Sequence, residues 1–273
     1  MKKLFFLLIL LTGLLPALTA AEEIYSFGIV PQQSASKLAK NWGPIMAHIS
    51  RQTGVTLRFK TAPNIPEFEK RLLAGEYDFA YMNPYHYVVF NQAPGYQAMA
   101  KARDKKITGI MVTRKDSTIN QLTQLQDKTL AFPSPAAFAA SILPRAELKK
   151  QQVNISPKYV SSHDSVYRGV ASGLFPAGGG VKRTFNAVDA GIREQLQIFW
   201  TSEGYTPHAI AYHPRINDAL ATKVTQSLVA LEQTEAGQKM LGTLKIKGWE
   251  AASDEQWNDI RALNIQTLDD LTQ

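Results

Sequence analysis

From Glu23 onward, short β-like runs alternate with stretches whose apolar residues recur at helical spacing. Ile24–Val30 predicts a strand, and Pro31-Gln32-Gln33-Ser34 a turn after it. Leu38, Trp42, Ile45, Met46 and Ile49 then recur every three or four residues, which predicts a helix with one buried face, closed by Gly54. Val55–Lys60 predicts a second strand. Asn64 followed by Glu67 predicts a capping box at the start of a helix whose buried side carries Phe68 and Leu72 and which Gly75 ends. Tyr77–Tyr81 predicts a third strand, leading into a loop, Asn83-Pro84-Tyr85-His86-Tyr87.

The middle third repeats the rhythm, with strands at Lys128–Phe132, Ile155–Val160 and Leu174–Ala177 and helices at Pro135–Lys150, Asp164–Ser172 and Lys182–Gln195. Such alternation predicts an α/β protein with two mixed, mostly parallel sheets flanked by helices and a cleft between them. Two further β-like stretches, Ile107–Arg114 and Leu196–Trp200, bracket the middle third and are the expected crossings between lobes. From Pro214 the tail reads as helical, with Leu220, Val224, Leu228 and Leu231 on one stripe that should pack back on the first lobe. The expected division is therefore 22–110 with 201–273 as lobe 1, and 111–200 as lobe 2.

The first residues add a destination. Lys2 and Lys3 precede an apolar run, Leu4–Leu15, and the small residues Ala17, Thr19, Ala20 and Ala21 follow. That is the pattern of a secretory signal peptide over 1–21, since a dozen apolar residues fall short of the ~20 a membrane-spanning helix needs. Export to the periplasm is expected. The chain has no cysteine, which excludes a disulfide framework and thiolate metal sites. Setting aside Lys2 and Lys3, 28 of the 30 basic side chains remain against 23 acidic ones, a balance of +5. The basic residues are scattered, with no aromatic-interleaved stripe, which argues against nucleic acid; the moderate positive balance fits a small anionic ligand or simply solubility.

In open α/β sheets ligands bind beyond the carboxyl ends of strands, where helix starts present unpaired N–H groups. The candidate ligand residues therefore lie in the loops after the strands. They are Ser34; Asn64; Asn83 and Tyr85; Ser134, Ala137 and Phe138; His163, within Ser161-Ser162-His163-Asp164-Ser165; Arg183; and His208. A helix start favours an anion, and His163 beside one adds a directed donor. Gly178-Gly179-Gly180 ahead of Lys182 and Arg183 reads as a backbone concavity for an anion, with Arg183 able to grip two oxygens. Asp164 reads as a helix-start acid. No zinc-protease, nucleophile-elbow or Walker motif occurs, so neither catalysis nor a metal or other cofactor is expected.

These segments in this order resemble the periplasmic phosphonate-binding (phosphate/phosphite/phosphonate) family of ABC-transporter substrate-binding proteins. The likeness rests on Ile24–Pro31, on Leu73-Ala74-Gly75-Glu76-Tyr77-Asp78-Phe79-Ala80-Tyr81 and on Ser162-His163-Asp164-Ser165-Val166-Tyr167, and spans roughly 23 to 260. It implies a type II periplasmic-binding fold whose lobes close on an oxyanion, a monomer that hands its ligand to an inner-membrane permease, and His163 as the cleft histidine. The family's Asp-Pro, one residue, Ser-Thr-Ser-Gly is here Ser134-Pro135-Ala136-Ala137-Phe138-Ala139-Ala140, so three hydroxyl donors are absent. Arg183 and His208 stand where aminoalkylphosphonate binders carry carboxylates, which disfavours a cationic ligand. The missing hydroxyls leave two other functions open: the ligand-sensing partner of a membrane sensor kinase, or a binder of a larger, partly apolar anion.

Overall fold

The structure, a computed structural model, describes residues 23–268; the segment read as a signal peptide lies outside them. Strands β1 (Ile24–Ile29), β2 (Thr56–Lys60), β3 (Phe79–Met82) and β4 (Gln97–Ala102) come first. They are followed by β5 (Gly109–Arg114), β6 (Lys128–Phe132), β7 (Ile155–Tyr159), β8 (Gly178–Val181) and β9 (Leu196–Thr201), then by β10 (Ala209–Tyr212) and β11 (Trp249–Ala251). One sheet has the order β11-β4-β10-β3-β1-β2 and the other β7-β6-β8-β5-β9. Both are mixed. β1 is parallel to β2 and β3 while β10 runs against β3 and β4; in the second sheet β6 is parallel to β7 and β8 while β5 runs against β8 and β9.

Helix α1 (Ala35–Thr53) forms as its periodicity predicts: Leu38, Trp42, Ile45, Met46 and Ile49 are its buried residues, the Ser34 hydroxyl accepts from the Lys37 amide, and Gly54 closes it at φ 77°. With α8 (Asp218–Ala230) and α9 (Glu235–Leu244) it covers one face of the first sheet, where Leu220, Val224, Leu228 and Leu231 join its core. On the other face lie α2 (Ile65–Leu73) and α3 (Pro84–Gln92), with Phe68, Leu72, Tyr87, Phe90 and Trp257 in the core. The second sheet is sandwiched between α5 (His163–Ala171), followed by α6 (Lys182–Ala187) and α7 (Ala190–Arg193), and α4 (Leu143–Lys150), which continues a five-residue π-helical turn, Phe138–Ile142.

Several expectations change. Asn64 caps α2, accepting from the Glu67 amide at 2.9 Å, but the Glu67 carboxylate turns to Arg71, also at 2.9 Å, so the reciprocal half of the box is not made. Asn83-Pro84 opens helix α3, the proline falling in the first turn, where its missing N–H costs nothing. The strand expected at Leu174–Ala177 forms instead at the glycines, Gly178–Val181, and the expected helix over 182–195 breaks at Val188 and Asp189. The tail is not wholly helical, since β11 completes an edge of the first sheet. Ile107–Arg114 and Leu196–Trp200 are not the crossings. Most of each is a strand of the second sheet, and the chain crosses between β4 and β5 and between β9 and β10, where Ile107 and Tyr205 pair backbone to backbone at 2.8 and 3.0 Å.

The glycine run has a different use from the one its sequence suggests. Gly178–Val181 is buried and its glycines do not adopt positive φ, so it forms no anion-binding concavity. A Cβ on Gly179 would stand 1.9 Å from the Ala140 carbonyl oxygen, and one on Gly109 of β5 would stand 2.1 Å from that of Ala139. The glycines let the π-helical turn lie directly on the sheet.

Candidate functional site

The carboxyl ends of β1 and β3 face those of β6, β7 and β8 across the cleft, so the loops after these strands meet. Their meeting place is an inner chamber lined by Val30, Gln32, Ile65 and Asn83 from one side, by Ala137–Ala140, His163 and Val181 from the other, and by Ile107 and His208 from the crossings. In this closed arrangement it is about 10 Å³, room for about one water.

Each polar group there is held by its own element. Asn83 caps α3, its Oδ1 accepting from the His86 amide at 2.8 Å, and its Nδ2 donates across the cleft to the Ala136 carbonyl at 3.1 Å. His163 is the first residue of α5, placed by the Ser162 cap, whose hydroxyl accepts from the Ser165 amide at 3.1 Å. Its Nδ1 lies 3.2 Å from the Thr184 hydroxyl, which in turn is 2.8 Å from the Tyr167 hydroxyl. When Thr184 donates to Nδ1, the ring's own proton sits on Nε2, which lines the chamber as a donor with no partner. Tyr167 then donates to the Thr184 hydroxyl, which accepts from it while donating to Nδ1. Burial, and after it the charge of Arg183, push the His163 imidazole down to about 3, so it is neutral at physiological pH. His208 is stacked on Tyr81, ring centroids 4.9 Å apart; burial and then Arg183 hold it well below the usual histidine range, and its Nε2 is likewise unpartnered. Phe138, Ala139 and Ala140 open the π-helical turn, where backbone N–H groups have no earlier carbonyl in the helix to bond. Buried groups left unsatisfied in this way cost about 1–3 kcal/mol each, which a ligand that satisfied them would recover.

Outside the chamber, and sharing Ile107, Val181 and His208 with it, lies a vestibule of about 280 Å³. Tyr81, Lys105, Lys182, Arg183 and Lys245 are among its walls. The Lys105 ammonium donates to the Lys245 carbonyl at 2.7 Å, and burial followed by the charge of Arg183 lowers it to about 8. Arg183 is not free in the cleft: its guanidinium donates to the Gln32 side chain across the lobes. Lys37 on α1 makes a second such bridge to the Ala187 carbonyl.

Among the residues expected to bind, Asn83, Ala137, Phe138, His163 and His208 come together in the chamber and Arg183 adjoins it. Ser34 and Asn64 serve as helix caps. The Ser134 hydroxyl is buried without a partner and does not line either hollow. Tyr85 lies elsewhere, its hydroxyl accepting from the Leu268 amide at 3.0 Å beside a separate hollow that Ile260 and Arg261 also line. Gln32, Tyr81, Lys105 and Lys245 were not anticipated. Gln32 sits in a loop that follows a predicted strand and Tyr81 near the end of strand β3, but Lys105 and Lys245 come from a crossing and a helix end, which carry no periodic signal.

Two sheets joined by paired crossings, with strand-end loops converging in the gap, define a type II periplasmic-binding protein. The family of ABC-transporter phosphonate periplasmic substrate-binding proteins matches residues 27–257, and the chain belongs to it. A curated relative, the phosphate-import protein PhnD of Mycolicibacterium smegmatis, is 25% identical over 261 residues, 82% of this chain and 76% of its own. Among solved structures, a binding-protein component of an ABC phosphonate transporter from Pseudomonas aeruginosa superposes with a TM-score of 0.82 at 17% identity, over 90% of this chain and 87% of that one. PhnD1 of Prochlorococcus marinus in complex with methylphosphonate gives 0.78 at 20% identity, over 89% and 98%.

Proposed function

We propose that the cleft captures a phosphonate- or phosphate-like oxyanion, whose charged head meets the His163 and His208 rings, the Asn83 side chain and the amides of Phe138–Ala140. The observation that carries this reading is the convergence, from both lobes, of the unpartnered, buried His163 and His208 Nε2 atoms on one chamber. The chamber is smaller than a phosphonyl group in the closed arrangement, so the lobes, 22–110 with 201–273 against 111–200, part at the crossings to admit ligand and close behind it. The closed form would then be what an inner-membrane permease recognises, with the protein acting as a monomer in the periplasm and carrying out no catalysis. A solved relative of this fold holds methylphosphonate, and a curated relative is described as importing phosphate; both fit a small oxyanion here. Isothermal titration against methylphosphonate, phosphite, phosphate, sulfonate and carboxylate ligands tests the reading. Binding of a phosphorus oxyanion, weakened at least tenfold in His163→Ala, is the expected result, and no binding by any of the panel overturns it.

A further inference from the structure

The vestibule is as distinctive as the chamber. Its walls hold Lys105, Lys106, Lys182, Arg183 and Lys245 and no acidic side chain. Of these cations, Lys106 alone has a carboxylate within ion-pair distance among the described residues, Asp259 at 3.9 Å. Lys105 is crowded enough by burial and by Arg183 to titrate near 8, so an anion placed among these groups would relieve a repulsion already present in the fold. Tyr81, Ile107 and Ile246 supply apolar wall between the charges. A bare phosphonyl head in the chamber would leave these features without a role, because the vestibule begins where the chamber ends.

Resting on the reading that the chamber takes the phosphonyl head, we propose that the physiological ligand carries a second negative charge, a carboxylate or a further phosphoryl group, on a short apolar spacer that places it in the vestibule. The vestibule thereby sets specificity: it selects anion-terminated organophosphonates and rejects amine-terminated ones, whose ammonium would face several cations with no carboxylate to meet it.

The test is calorimetric, with three matched series of alkylphosphonates of increasing spacer length, ending in carboxylate, methyl or amine, alongside methylphosphonate. At the best spacer length the carboxylate-terminated probe should bind at least about tenfold tighter than its methyl-terminated match, as expected for one charge-assisted contact, and the amine-terminated probe should bind most weakly. In Lys182→Met and, separately, in Lys245→Met, the carboxylate-to-methyl affinity ratio should fall toward one. A ratio near one at every length in the wild-type protein, while methylphosphonate still binds, overturns the vestibule proposal and leaves the oxyanion reading intact. Absence of binding by all probes, methylphosphonate included, removes both.

Discussion

Replacing Gly179 by alanine should damage stability and ligand binding together. The added Cβ would sit 1.9 Å from the Ala140 carbonyl oxygen and 2.8 Å from the Phe132 ring. An ordinary contact begins near 3.4 Å, so the carbonyl has to retreat by about 1.5 Å, and it is backbone, not the yielding tip of a side chain. Overpacking of this kind costs typically 1–3 kcal/mol of stability. The same retreat carries the amides of Ala139 and Ala140 away from the chamber, and hydrogen bonds tolerate only a few tenths of an ångström. Losing one or two charge-assisted amide bonds, about 1.5–3 kcal/mol each, weakens an oxyanion by one to several orders of magnitude. Urea denaturation and methylphosphonate titration read the two effects. Gly242→Ala, on α9 with nothing within 4 Å of the new Cβ, serves as the control and should gain about 0.5–1 kcal/mol from helix propensity with affinity unchanged. Gly179→Ala that keeps wild-type stability and affinity would refute the claim that the glycine strand positions the helix start.

His163 gives a pH dependence with a definite sign. Its imidazole titrates near 6.5 when unfolded and near 3 when folded, so between these values the unfolded chain binds more protons. Ligand-free stability should therefore be full above about pH 6.5 and decline as pH falls toward 3, by roughly 3 kcal/mol at pH 4 from this group; denaturation midpoints across that range should fall less steeply in His163→Gln. Lys105, lowered to about 8 and lining the vestibule, binds an anion better when charged, so the preference for the carboxylate-terminated over the methyl-terminated phosphonate should weaken as pH rises through about 8, and Lys105→Met should flatten that limb. Ala137→Ser and Ala139→Ser return hydroxyls to the lining of the chamber and should tighten methylphosphonate by about tenfold or more for each hydroxyl that reaches it; unchanged or weaker binding by both would mean the head group does not contact this turn.

Long periodic segments were legible in the sequence. Leu38 to Ile49 on α1 and Leu220 to Leu231 in the tail are buried as their spacing predicts, because burial of a stripe that regular fixes both the element and its orientation. Three kinds of element escaped. β4 and β10, Gln97–Ala102 and Ala209–Tyr212, are short and rich in alanine, and they are held by neighbours on both sides more than by any preference of their own. β8 has glycine at three of its four positions, a composition that reads as a turn until Ala140 and the Tyr167 hydroxyl, 2.2 Å from a Cβ on Gly180, are found where side chains would be. β11 is an edge of three residues, too brief for any alternation to register.

The site was legible to the extent that strand order predicts which loops converge. Loop position and the family resemblance together put Asn83, Ala137, Phe138, His163 and His208 among the candidates, and the structure gathers them. Loop position misjudged Tyr85, since α3 turns that side chain toward the chain's C-terminal segment, a relation between residues 183 apart in sequence. Arg183 illustrates the deeper difficulty. A cation after a turn reads as a ligand contact, yet here the guanidinium spans the cleft to Gln32, while the Asn83 amide and the Lys37 ammonium bridge the same gap to backbone carbonyls of the other lobe. Three direct bridges link the lobes across the cleft, so parting the lobes has to break them. A guanidinium that holds Gln32 with part of its fork still has donors to turn toward an oxygen in the vestibule. One residue can thus lower the energy of the closed form and reward the ligand that occupies it, a double role that no local pattern in the chain encodes.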